Sequence, residues 1–217
     1  MPDLRYTLLP EGSSDKALIP ILTWLLREIG INCAIQSNFA DVWRLREKPQ
    51  GLKNKIIRSI ELYPCDLLFI HRDADRELLE TRVTEIHRAV DEAQSETGVS
   101  PVVCVVPVRM QEAWLLFDAP AIRRAAGNPH GRGALRLPVL RRIEDLPDPK
   151  TELYNLIRTA SGLTGRRLKR LKVSTLSSRA SQVSGYINDF APLRTLPAFR
   201  YLETNLRVVI SEQGWNT

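Results

Sequence analysis

The sequence predicts an open α/β fold: a mostly parallel sheet flanked by helices, with a helical carboxyl-terminal extension. Three observations carry that prediction. Over residues 1–118, short β-rich runs alternate with helical segments of ten or more residues, the pattern of βαβ units. The run PVVCVVPV (101–108) is almost wholly apolar, as a strand covered on both faces should be. At 217 residues, with 43% apolar and 26% charged side chains, the chain can bury a sizeable core beneath an ordinary globular surface.

The elements follow in order. LRYTLL (4–9) reads as a first strand, stopped by Pro10, Glu11 and Gly12. SSDKALIPILTWLLREIG (13–30) has a serine cap, an acidic first turn and apolar residues at helical spacing, and ends on Gly30. Pro20 inside that helix should bend it or shift its start. INCAIQ (31–36) is a second strand, LKNKIIRSIELY (52–63) an amphipathic helix and DLLFIH (66–71) a third strand. RELLETRVTEIHRAVDEAQSETG (76–98) repeats its apolar residues every three or four positions, as a long helix does, and PVVCVVPV supplies a fourth strand. After about residue 118, AAGNPHGRGALRLP and EDLPDPK separate short helical pieces. The tail from Thr175 to about Ser211 reads as two helices broken near Ala191–Pro192. The expected division is an α/β core over 1–118 and a helical, basic part over 119–217, packed together as one unit.

Several classes drop out. The longest apolar stretches, such as ALIPILTWLL, are too short to span a bilayer, so no membrane partner is expected. Met1 leads into PDLRYTLLPEG without a basic region followed by an apolar one, so no signal peptide is expected. Cys33, Cys65 and Cys104 are odd in number and lack CxxC spacing; they read as reduced core thiols of a cytoplasmic protein. Neither a GxSxG elbow nor a P-loop lysine pattern occurs, which removes support for a serine hydrolase or a self-contained ATPase.

The net charge of +6 is unevenly spread. Between Arg123 and Lys172 there are 13 Lys/Arg against four Asp/Glu, and Arg166, Arg167, Lys169, Arg170 and Lys172 fall within seven positions. Two readings stay open: a solvated helix face, or a lobe for a phosphate-rich partner such as DNA or RNA.

The acidic residues are the chemistry-bearing candidates. In an extended segment, Asp73 and Asp75 project to the same side, and two such carboxylates repel unless a cation or proton intervenes. Mg²⁺ is a cation that carboxylates and water hold well; the competing reading is a helix cap before Arg76. Right-handed crossovers bring strand carboxyl ends to one sheet edge, where open α/β sheets place ligands. Glu11, Asp73, Asp75 and Glu112 all follow strands at that edge. Glu112 reads as a further ligand, with a helix-start residue as the competing reading, Asp15 as a complement to a helix dipole, and Trp114 as a core anchor. His71 shares the Asp73 face by parity and reads as a hydrogen-bonded structural histidine. His87 and His130 show no ligand spacing, and NPHGRG (128–133) reads as a surface loop or a phosphate-binding nest.

Together, E-G-x-x-D at Glu11–Asp15 after the first strand and D-x-D at Asp73–Asp75 after an apolar strand resemble a Toprim domain, over roughly residues 1–118. VPVRMQEAWLLFD (106–118), DPKTEL (148–153), the basic segment and LRTLPAFRYLETNL (193–206) extend the resemblance to a small stand-alone bacterial family of Toprim-like proteins. The resemblance implies a Toprim-like, Rossmann-like sheet with Mg²⁺ or Mn²⁺ as cofactor. It implies Asp73 and Asp75 as metal ligands and Glu11 as a ligand or proton-transfer group. Arg76 and Glu77 stand where such proteins often carry a further Asp or Gly, and Glu112 is the candidate replacement. The implied function is metal-dependent phosphodiester hydrolysis of DNA or RNA, in an anti-phage setting. The alternative is a non-catalytic nucleic-acid-binding or regulatory subunit beside a partner ATPase. Self-association is left open.

Overall fold

The computed structural model describes residues 3–215. Four strands, β1 (Asp3–Leu9), β2 (Ala34–Phe39), β3 (Leu67–His71) and β4 (Val102–Val105), form one parallel sheet in the order β2-β1-β3-β4. Leu8 pairs with Phe39 on one side and Phe69 on the other, and Phe69 pairs with Val103. The chain steps one way from β1 to β2, then reverses past β1 to β3 and β4. Right-handed crossovers in opposite directions put their helices on opposite faces. Accordingly α1 (Leu18–Glu28) packs with Leu4, Tyr6 and Leu8 on one face. On the other face, α2 (Gly51–Leu62) and α3 (Leu79–Gln94) bury Ile56, Val83 and Ile86 against Leu68 and Ile70. The α/β, Rossmann-like reading of the sequence is what the chain adopts.

Local boundaries show where neighbouring forces shift an element. A 3₁₀ turn (Ser13–Ala17) precedes α1, which places Pro20 in the first turn of the α-helix. There its missing N–H has no intrahelical partner to lose. Pro20 therefore moves the helix start rather than bending it. β2 begins three residues later than the INCAIQ reading, because Ile31 is drawn into the core while the pairing starts at Ala34.

The carboxyl-terminal helices complete the α1 face. They are α4 (Ala119–Ala125), α5 (Pro149–Ala160), α6 (Gly165–Lys169), α7 (Val173–Gln182) and α8 (Pro197–Glu212). Asp118 and Asp148 cap α4 and α5 by accepting the Ala121 and Thr151 N–H groups, each at 2.8 Å. One apolar cluster takes Trp114, Ile122, Ile157 and Phe199 together, so residues on both sides of position 118 share a core. Trp114 is fully buried with its ring edge-on to Phe199 at 5.3 Å, the role of a core anchor. The three cysteines are free, and burial pushes the Cys104 thiol up to about 12. Among the described residues, no helix is long and apolar enough to cross a membrane.

Candidate functional site

Strand order reverses between β1 and β3, and their carboxyl ends bracket the crevice where open α/β sheets bind ligands. The residues leaving these two strands are tied together there. After β1 the chain turns through Pro10, Glu11 and Gly12 into the 3₁₀ turn, and Asp15 folds back to close it. Its Oδ2 accepts the Glu11 and Gly12 N–H groups at 2.7 and 2.9 Å. His71, the last residue of β3, lies on the same face as Phe69 and points at this turn. Its Nδ1 is 2.9 Å from Asp15 Oδ2, and its Nε2 is 3.1 Å from Asp73 Oδ1. Gln111, after β4, joins both acids: its Nε2 donates to Asp15 Oδ1 at 2.8 Å and its backbone N–H to Asp73 Oδ1 at 2.9 Å.

The charge state of His71 follows from its partners. A carboxylate only accepts hydrogen bonds, so a ring held between two carboxylates must donate from both nitrogens and is an imidazolium. Complete burial opposes that charge, but the hydrogen bonds to Asp15 and Asp73, with their negative charge, prevail and push the group up to about 10. Burial would likewise raise the Asp15 carboxyl. The His71 hydrogen bond and charge, with the two backbone amides, instead hold it below the usual carboxylate range.

Glu11 completes the cluster. Its Oε2 accepts the Asp73 N–H at 2.8 Å, while Arg72 Nε lies 2.8 Å from Oε1 and Arg72 Nη1 lies 3.1 Å from Glu85. Glu11, His71 and Asp73 each offer one ligand atom, and the three atoms lie within 4.8 Å of one another, a spacing that could hold a metal ion. Both His71 nitrogens are committed to carboxylates, which leaves the oxygens of Glu11 and Asp73 as the available donors. Asp73 Oδ1 takes both hydrogen bonds made to that carboxylate, which turns Oδ2 free for a further partner. At formal charge, Asp15, Asp73 and Glu11 exceed His71 and Arg72 by one negative charge, which favours an added cation. Comparison with protein-family models, curated proteins and solved structures finds no match for this chain.

The other sequence-predicted residues lie outside the cluster, with Glu112 near enough to feel the Asp73 and Asp15 charges. Asp75 is not in the cluster: the strand ends at His71, and Asp75 takes a left-handed φ of +53°, which breaks the two-residue alternation that would set it beside Asp73. Its Oδ2 sits 3.6 Å from Arg82 Nη2. Glu112 follows β4 at the same sheet edge, in a buried 3₁₀ turn (Gln111–Leu115), but its carboxylate faces Lys150 Nζ at 3.7 Å. Burial raises its pKa despite Lys150. Arg166, Arg167, Lys169 and Arg170 lie on or just after α6, and Lys172 precedes α7. None of these five cations is within ion-pair distance of a carboxylate among the described residues.

Sequence reasoning undervalued Asp15, Gln111 and Arg72. The Asp15 to His71 bond spans 56 positions, so no local pattern announces it. The available signals were the E-G-x-x-D spacing and the parity that puts His71 on the Asp73 face.

Proposed function

We propose that the protein is a metal-dependent phosphodiesterase acting on nucleic acid, related to Toprim nucleases. The observation that carries this reading is the Glu11–Asp73 carboxylate pair at the strand-order reversal, steadied by a buried imidazolium. An all-oxygen donor set suits a hard cation such as Mg²⁺ or Mn²⁺. Such a cation supplies charge neutralisation at the phosphate and a more acidic water.

The chain's own residues have distinct parts. Asp73 presents Oδ2, because His71 and the Gln111 amide occupy Oδ1. Glu11 is placed by the Asp73 N–H and serves as second ligand or as proton acceptor for the attacking water. Asp15 balances the His71 charge from the interior and so fixes the ring that fixes Asp73. The unpaired cations at Arg166–Lys172 hold the phosphate backbone.

A second reading, a non-catalytic binding or regulatory subunit working with an ATPase, has one observation in its favour. Arg72 already lies against Glu11 and partly neutralises it without a metal. The two readings separate in one experiment: cleavage of plasmid DNA and of RNA with Mg²⁺ or Mn²⁺, by wild type, Glu11→Gln and Asp73→Asn. Hydrolysis requires wild-type activity reduced at least about 100-fold in both variants, the loss typical when a group that stabilises the transition state is removed. No cleavage by wild type, or equal residual cleavage in all three, overturns it.

A further inference from the structure

We infer that a groove between α4 and α7, remote in sequence from the acidic cluster, binds the backbone and one base of a single-stranded nucleic acid. The groove is a shallow, open trough of about 610 Å³, and its lining includes Arg124, Arg179, Ser174, Thr175, Ser178 and Tyr186. Gln182 and the Gly127 backbone complete the polar wall, and no acidic residue takes part. Two guanidinium groups and four hydroxyls suit a phosphodiester, which presents acceptor oxygens and negative charge.

Two further observations sharpen the ligand class. Arg179 is half-buried in the wall and has no carboxylate within ion-pair distance among the described residues, so its charge is left for a phosphate to meet. Tyr186 keeps 39% of its surface exposed and lines the groove, so its ring is open to a stacking partner. A basic groove with an exposed aromatic ring is the arrangement by which proteins hold single strands: the cations follow the backbone and the ring stacks on a base. A duplex offers no free base face, so Tyr186 selects against it. Chain order joins the groove to the basic segment, since Lys172 stands two residues before Ser174. The opposite side of α7 supplies Ser177 and Ser181 to the wall it shares with Ser14 and Glu112, next to the acidic cluster. α7 therefore separates a strand-holding groove from the metal-binding edge.

The ligand class rests on the nucleic-acid reading above, but the test does not depend on hydrolysis. Labelled single-stranded oligo-dT and oligo-U, and a matching duplex, are titrated by fluorescence anisotropy in EDTA over a range of salt. Arg124 and Ser178 are exposed, so Arg124→Glu and Ser178→Glu each place an anion in the groove with little risk to folding, which circular dichroism checks. Arg88→Glu makes the same charge change on the exposed face of α3 and is the control.

Single strands should bind more tightly than duplex, with a salt slope about one unit smaller for Arg124→Glu. Tyr186→Ala should weaken binding about 5- to 100-fold, and Arg88→Glu should behave as wild type. Absence of binding at low salt overturns the proposal. So do unchanged affinity in both Ser178→Glu and Tyr186→Ala, equal binding of duplex, or full displacement by inorganic phosphate at the concentration of nucleotide phosphate. Groove-dependent binding without any cleavage keeps this inference and overturns the hydrolase reading. Cleavage with groove-independent binding does the reverse.

Discussion

The acidic edge and the basic groove solve opposite problems. At the edge, each charged side chain is held by partners from other elements, His71 by Asp15 and Asp73 and Glu11 by Arg72 and the Asp73 amide, with one negative charge left over. In the α6–α7 region, Arg166–Lys172, Arg124 and Arg179 stand without carboxylate partners among the described residues. The acidic side chains are pinned from several elements, as holding one ion in one geometry would require. The basic ones are left without carboxylate partners, as holding a flexible polyanion would require. The difference predicts that substitutions at the edge damage folding and metal affinity, whereas substitutions in the groove region damage binding alone.

The largest effect is expected at Asp15. Its side chain is 4% exposed and that of His71 is fully buried, so Asp15→Ala leaves a buried imidazolium short of one partner. Breaking a buried pair from one side costs about 3–5 kcal/mol. Denaturant unfolding should show that loss; a change under about 1 kcal/mol would mean the edge is not pinned as described.

The pair also has a pH signature. His71 is raised in the fold, so its contribution is complete below its unfolded value near 6.5 and is lost as pH rises toward about 10. Asp15 is lowered, so its contribution is present above the unfolded carboxylate range and is lost as pH falls through it. The stability gap between wild type and Asp15→Ala should therefore be widest between about pH 5 and 6.5 and shrink on both sides. A gap constant from pH 5 to 10 would contradict the imidazolium assignment.

How much of this was legible in the sequence depends on which force places each residue. β1 and β3 could be read directly, β1 from Leu4, Tyr6 and Leu8 buried on one face and β3 from burial at every position, whereas β4 stops at Val105, three residues short of the apolar run that announced it. β2 is a polar edge strand, and its start was misread by three residues. Glu11 and Asp73 were legible because each follows an apolar run into a turn. Asp75 was not, because nothing nearby demands its positive φ; the backbone turns to give its N–H to the Arg109 carbonyl at 2.9 Å, a tertiary contact. The Asp15–His71–Asp73 chain is likewise tertiary: parity sets His71 on the Asp73 face, but nothing local brings Asp15 to it across 56 positions.

Smaller effects sharpen the contrast. Arg72 competes with an added cation for Glu11 from a partly exposed position, where an ion pair is worth about 0.2–1 kcal/mol. Arg72→Gln should raise Mn²⁺ affinity by about 1.5- to 5-fold in a binding titration, and a fall in affinity would make Arg72 part of the site. Smallest of all, Arg167→Ser with Lys169→Ser should change unfolding free energy by less than about 0.5 kcal/mol, because both side chains are exposed and carry no structural partner. A larger loss in the unfolding curve would give that segment a structural role.

On the reading proposed above, Glu11 and Asp73 hold a divalent cation and Asp75 stands apart. Calorimetric titration of Mn²⁺ into wild type, Asp73→Asn and Asp75→Asn tests it most directly. One site in wild type, abolished in Asp73→Asn and retained in Asp75→Asn, is the predicted result. Equal binding in wild type and Asp73→Asn, or loss confined to Asp75→Asn, would contradict it.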